Sequence, residues 1–325
     1  MRRRKFLGTL GAVAAWPVSA VAQNAALPRI GFMYIASAEA SRHLVNAFEE
    51  GLRTSGIVAG RNATVIYRWA DGRPERLTAI ANDLVSQGVS VIAAAPTTGA
   101  IAASAATSII PIVFNTSDNP IRLGLVASLN RPGGNATGVN FLINELGTKR
   151  LEMVRELKPA AKRLGFLLNP GSPPGAAALA DLQSVARTTG YEVQVHHVRS
   201  PAEVESAFVS LSDWQADVAM VIPDGLILSL RQDLARHASS RKIPTINPLR
   251  DFVDAGGLVS YGTSIVEAFR QIGNYSGRIL KGEKASELPV VQSTKFELVV
   301  NLRTAKSIGL TIPEAFLLRA DEVIE

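Results

Sequence analysis

The sequence has no cysteine, four histidines and only 6% aromatic residues. Without cysteine there are no disulfides, thiol nucleophiles or thiolate metal sites. The lipid-modified cysteine of a bacterial lipoprotein is excluded as well. His43 and His237 fall within helix patterns and are expected at the surface. His196 and His197 are adjacent on a strand, so they face opposite sides and cannot chelate together. There is no H-E-x-x-H, no G-x-x-x-x-G-K-S/T and no G-x-G-x-x-G after the first strand, which argues against nucleotide binding. Gly171-Ser172-Pro173-Pro174-Gly175 misplaces its serine for a G-x-S-x-G nucleophile elbow. No cofactor or metal is expected. Beyond the N-terminus, no run approaches the roughly 20 apolar residues of a membrane span.

The formal charge of +6 falls to +2 once the four charges of Arg2, Arg3, Arg4 and Lys5 are set aside. That is too little for a nucleic-acid footprint. Those four residues, the short apolar run 7–15 and the small-x-small site Ala20-Val21-Ala22 read as a secretory signal over 1–22. Arg3-Arg4-Lys5-Phe6-Leu7 matches the twin-arginine export pattern. The mature chain is expected to be a periplasmic, unanchored monomer beginning near Gln23. Apolar content of 47% suffices for a globular core, and about 300 residues fit two domains at roughly 100–200 each.

From Pro28 onward, strand and helix patterns alternate, as in βαβ units around a parallel sheet. Strands are predicted at 29–35, 63–69, 89–95 and 109–114, with helices at 41–54, 73–87 and 98–107. Leu129–Val139, with Pro132, Gly133, Gly134 and Gly138, reads as a turn that ends the first half. The pattern then restarts. Helices are predicted at 146–158, 175–188, 201–211, 226–239 and 264–280. Strands are predicted at 163–168, 192–198, 218–222, 244–246 and 257–261. The fold class expected is α/β, two doubly wound lobes. The tail 290–309 is assigned to a return crossing between them.

Six of the predicted strands, three in each half, empty into polar turns: those at 29–35, 89–95, 109–114, 163–168, 218–222 and 244–246. Ligands of open parallel sheets bind outside the strands' carboxyl ends, where helix N-termini favour anions. The candidate ligand-binding residues are therefore Ser37, Thr97, Thr98, Asn115, Asp118, Asn169, Asp224 and Asn247, with Phe141 and Tyr261 as the nearest rings beside Tyr34. Any one of the small polar residues is also an ordinary helix cap. Asp118 and Asp224 could pair with a ligand ammonium or cap the helix behind them, and the polar run 115–120 is expected to open a helix aimed into the cleft. Each of the three rings could instead be core packing. Glu49, Glu50, Arg53 and the set Arg150, Glu152, Arg155, Glu156, Lys158 read as solvated helix faces.

Several stretches resemble the tryptophan/tyrosine-type substrate-binding proteins of bacterial ABC transporters. They are Tyr67-Arg68-Trp69-Ala70-Asp71-Gly72, Ile112-Val113-Phe114, the run 124–138 (GLVASLNRPGGNATG), 295–302 (KFELVVNL) and the ending Leu318-Arg319-Ala320-Asp321-Glu322-Val323. Where the family carries Asp-Pro after the strand ending at Phe114, this chain reads Asp118-Asn119-Pro120. The resemblance implies a periplasmic binding protein of type I, two lobes joined by a three-crossing hinge. It implies lobes made of 28–138 plus 264–295 and of 139–263 plus 296–325. Hinges are expected near 138–140, 261–263 and 296–299, with Gly138 and Gly262 supplying rotation. It implies as partners a small polar ligand, of amino-acid or aromatic-acid type, and an inner-membrane permease with its ATPase. A ligand-sensing subunit for a membrane receptor and a periplasmic hydrolase or racemase are the alternatives.

Overall fold

A computed structural model describes residues 27–141, 146–293 and 296–325. The signal segment 1–22, Gln23 and Lys295 lie outside the described residues. The first half runs β1 (Arg29–Tyr34), α1 (Arg42–Thr54), β2 (Thr64–Trp69), α2 (Arg76–Ser86), β3 (Val91–Ala94), α3 (Thr97–Ala106), β4 (Ile112–Thr116) and β5 (Ala136–Asn140). The second half begins with α4 (Gly147–Leu157), β6 (Arg163–Leu168), α5 (Pro173–Thr188), β7 (Glu192–His197) and α6 (Pro201–Asp213). It continues with β8 (Val218–Val221), α7 (Gly225–Ser229), α8 (Arg231–Ser240), β9 (Thr245–Asn247), α9 (Arg250–Asp254) and β10 (Val259–Thr263). The last part is α10 (Ile265–Leu280), β11 (Val291–Gln292), β12 (Phe296–Asn301), α11 (Leu302–Ile308), α12 (Glu314–Leu317) and β13 (Glu322–Ile324).

Two sheets result. The first has the order β11-β5-β4-β3-β1-β2 and is parallel throughout. The second has the order β13-β12-β10-β9-β8-β6-β7, parallel except where β10 meets β12. In both, the second strand flanks the first and the third lies on its other side. Each sheet therefore has a switch point where successive helices leave on opposite faces, β1/β3 in one and β6/β8 in the other. The expected α/β architecture of two doubly wound, mostly parallel sheets is what the chain forms.

The helices fold as their patterns require. α1 buries Leu44, Ala47, Phe48 and Leu52 on one stripe, and α2 buries Leu77, Ile80, Ala81 and Leu84. The larger apolar cluster fills the first lobe and passes through Ile35 and Ile227 into the α6/α8 face of the second sheet. The smaller cluster fills the opposite face of the second sheet, under α4, α5 and α11.

Several expectations need correction. Ile109 is 86% exposed, and β4 starts only at Ile112. Asn115 and Thr116, expected in a turn, are inside the strand, because their backbones continue the ladder to Val139 and Asn140 of β5. No helix follows β4. Asn119 Oδ1 accepts from the Ile121 and Arg122 amides and closes a turn instead. The expected break at 138/139 falls inside β5, all five residues of which pair with β4. Gly138 has φ +154° and lies against Phe114, whose carbonyl oxygen would be 2.1 Å from an added Cβ. Gly262 is similarly pressed against the Pro248 carbonyl, at 1.9 Å. Both glycines are there for close backbone approach rather than for hinge rotation. The tail is not a simple crossing, since β12 and β13 extend the second sheet.

Candidate functional site

The connections between the sheets lie side by side. Thr263 Oγ1, at the end of β10, donates to the Phe141 carbonyl at 2.6 Å. The Ser293 amide donates to the Asn140 carbonyl at 3.1 Å. The chain thus passes from sheet to sheet three times on one side, and the carboxyl ends of β1, β3 and β4 face those of β6, β8 and β9 across a cleft.

A small cavity of about 20 Å³ sits within that cleft. The first sheet contributes Pro96, Thr97 and Thr98 after β3 and Ser117 after β4. The second contributes Ser172 after β6 and Pro223, Asp224 and Gly225 after β8. These are the strand ends beside the two switch points. Thr97 Oγ1 accepts from the Ser117 amide at 3.2 Å and lies 3.3 Å from Ser117 Oγ. This ties the β3 turn to the β4 turn. α3 begins at Thr97 with no side-chain cap.

Asp224 is the charged group at this cavity. Its Oδ1 accepts from the Ile227 amide at 2.8 Å and caps α7, while its Oδ2 accepts from Asn169 Nδ2 at 2.6 Å. Asn169 is fixed in turn by the Gly171 amide, 2.9 Å from its Oδ1. Burial pushes the Asp224 carboxyl up, above the ordinary carboxylate range, against the opposing pull of its Ile227, Asn169 and Leu226 bonds. No basic side chain lies among the residues bordering the cavity. Two residues before Ser117, near the end of β4, Asn115 is 1% exposed, and its Oδ1 has no hydrogen-bond partner.

The other sequence candidates are placed differently. Asp118 is buried, but its carboxylate accepts from Arg122 Nη2 at 2.5 Å and from the Asn119 amide at 2.7 Å. It borders a separate cavity of about 250 Å³ with Thr148 and Leu182 of the second lobe. Ser37 turns the chain after β1, its carbonyl accepting from Ser41 Oγ. Asn247 spends its amide nitrogen on Thr245 Oγ1 and the Val259 carbonyl. Phe141 and Tyr34 are core residues, the latter edge-on to Phe269 at 5.3 Å between centroids. Tyr261 packs beside Phe296. None of these three rings borders the 20 Å³ cavity. The structure therefore gathers Thr97, Thr98, Asn169 and Asp224.

Sequence reasoning missed Ser117, Ser172 and Gly225. Ser117 lies in the polar run 115–120 and Ser172 follows the strand predicted at 163–168, so both are legible by the same strand-end rule. Gly225 was not, because its role depends on the opposite lobe. A Cβ there would stand 2.1 Å from Ile35 Cγ2. Ile35 of the first lobe thus fills the space that a side chain at 225 would need.

Two charged residues also depart from expectation. Arg150 is 3% exposed and donates to the Tyr261 carbonyl at 3.2 Å, with burial lowering its pKa to about 10. His237 is buried rather than superficial. At the outer edge, His43 of α1 meets Asp251 of α9 across the lobes at 3.2 Å.

A family model described as ABC transporter substrate binding protein matches residues 29–324. The tyrosine-binding protein of Clostridioides difficile is 29% identical over 263 residues, 81% of this chain and 75% of that one. A Streptococcus pneumonia ABC domain in complex with L-Trp aligns over 92% of this chain and 100% of its own, at 24% identity and TM-score 0.82. The ligand-free, open structure of a Clostridium difficile substrate binding protein covers 92% and 99%, at 26% identity and TM-score 0.66.

Proposed function

The chain belongs to the ABC transporter substrate binding protein family, and from that premise we propose that it captures a small polar solute between its lobes and delivers it to a membrane permease driven by an ATPase. The observation that carries this reading is the cavity at the paired switch points, bordered by small polar strand-end residues from both sheets. Thr97, Thr98, Asn169 and Asp224 hold the solute, together with Asn115. Asp118 and Tyr261 stand outside this inner set. Neither lobe has a complete site, so solute affinity draws the lobes together, shifting the population towards the closed form.

The protein does no chemistry on its solute. Thr97 and Ser117 are bonded to each other rather than to a general base. Export follows the twin-arginine route, the mature protein is a periplasmic monomer, and the lobes are the expected ones with the first crossing moved beyond Asn140, the last residue of β5. The sequence has no cysteine, and no helix among the described residues is long and apolar enough to cross a membrane.

Solution scattering of the mature protein, titrated with a pool of amino acids, amino alcohols and aromatic acids, tests the mechanism. The radius of gyration is expected to fall, with slower amide exchange at residues 97–98 and 224–227. An unchanged radius, with protection confined to one lobe, would place the solute on a single lobe and end this reading.

A further inference from the structure

We infer that the solute of this cleft is a compact, non-aromatic ammonium compound bearing a hydroxyl group, of about the size of serine. The inference rests on the reading of the cleft as a solute site, and three properties of the cleft carry it.

The first is the balance of donors and acceptors. The Asp224 carboxylate borders the cavity without a basic side chain beside it, and the bonds it accepts are from the neutral Ile227 and Leu226 amides and the Asn169 carboxamide. With these three bonds made, one of the roughly four lone-pair sites of the carboxylate is left for a solute donor. The Asn115 Oδ1, two residues before Ser117, is a buried acceptor with no donor at all. A buried unpaired acceptor costs free energy that an incoming N–H or O–H recovers. The solute must therefore bring donors and positive charge, and an ammonium brings three donors on one atom. A purely anionic aromatic acid would bring charge of the wrong sign to Asp224.

The second property is the lining. Thr97, Thr98, Ser117 and Ser172 supply hydroxyls, each able to donate and accept, which suits a solute hydroxyl. The apolar surfaces are Pro96 and Pro223, and no aromatic ring borders the cavity. An indole or phenol ring would find no stacking partner there.

The third is size. The cavity of about 20 Å³ has room for one water-sized group. Beside it the lobes already touch, Ile35 against Gly225, and Gly72 against Ser229 Oγ. Any solute must part these contacts somewhat. A compact one parts them least and keeps most of the apolar seam, whereas a bicyclic ring inserted between Thr98 and Asp224 would give it up.

Titration calorimetry on the mature full-length protein, alongside scattering, separates the outcomes. The probes are L-serine, ethanolamine, L-tryptophan, L-tyrosine and benzoate. L-Serine and ethanolamine are expected to bind and reduce the radius of gyration, with the aromatic probes at least a hundredfold weaker. Asp224→Asn should weaken serine tenfold to a hundredfold, and Asn115→Leu about tenfold, with urea melts confirming that each variant is folded. Aromatic probes binding more tightly than serine would overturn the inference and leave the solute-binding reading standing. Closure by the wider solute pool, with none of the five probes binding, would do the same. No closure by any probe or by the pool would overturn both.

Discussion

The Asp224 carboxylate is a helix cap and the charged group of the cleft at once, and its proton reports on both. Its folded pKa is raised by burial above the ordinary 3.8. The folded state therefore holds this proton to higher pH than the unfolded chain does. Stability from this group is gained as pH falls through the folded value towards 3.8, and above the folded value the protein bears the cost of a desolvated charge. A cationic solute reverses the balance by favouring the carboxylate. Binding should thus release a proton near the folded pKa, and affinity should fall as pH drops through it. Calorimetry in two buffers of different ionisation heat measures the release directly. Asp224→Ala is expected to lose tenfold to a hundredfold in affinity, from a charge-assisted bond of about 1.5–3 kcal/mol, and about 1 kcal/mol of stability as a lost cap. Early melting with full affinity would reduce Asp224 to a cap. The sequence left Asp118 and Asp224 equal, and only folding separates them, by placing the Arg122 guanidinium 2.5 Å from Asp118.

At the scale of elements, the α1–α10 contact shows how small residues set the frame beneath the site. Gly51 of α1 would place a Cβ 1.8 Å from the Arg270 carbonyl oxygen, and Gly273 of α10 would place one 1.9 Å from that of Phe48. The two helices pack backbone to backbone at both points. Gly to Ala within a helix ordinarily gains about 0.5–1 kcal/mol. Here the sign should invert, with Gly51→Ala costing about 1–3 kcal/mol as the helices are forced apart. Urea denaturation of the single and the Gly51→Ala/Gly273→Ala double variant checks this. A stabilised single variant would show that α10 shifts freely. Most helices and strands of both lobes were legible within a few residues, because their apolar periodicity matches the faces they bury. β5 was not. Its ATGVN has a central glycine and little hydrophobicity, and it is a strand because Phe114 and Thr116 of β4 pair with it. The Ile109–Ile110 pair failed the other way, since β-branched composition cannot tell a buried run from an exposed approach to one.

For the whole molecule, the seam between lobes is the element of control. Ile35 and Gly225 meet there as knob and space, and His43 and Asp251 meet at the outer edge. Gly225→Val should hold the lobes apart, giving a larger radius of gyration with or without solute and at least tenfold weaker binding. Adding Ile35→Ala should restore part of the closure, because it removes the atom 2.1 Å from the new Cβ. Scattering on the two variants tests this, and a Gly225→Val protein as compact as the parent would mean that Ile35 can turn aside. The hinge glycines expected from sequence are not free pivots, so bending must fall on the segments between β10 and α10 and on the other crossings.

The sequence by itself determined the architecture and the class of site. Alternating apolar runs and amphipathic helices bury their surface around parallel sheets, and such sheets present their strand ends as a polar cleft. Tertiary structure decided which polar residues belong to the site. Thr97 and Ser117 are 20 positions apart, Asn169 and Asp224 are 55 apart, and each pair is joined by a hydrogen bond. Ile35 and Gly225 meet only when the two lobes come together. Local pattern records how each segment buries itself, whereas a site between lobes depends on contacts distant in sequence, whose partners no local pattern names.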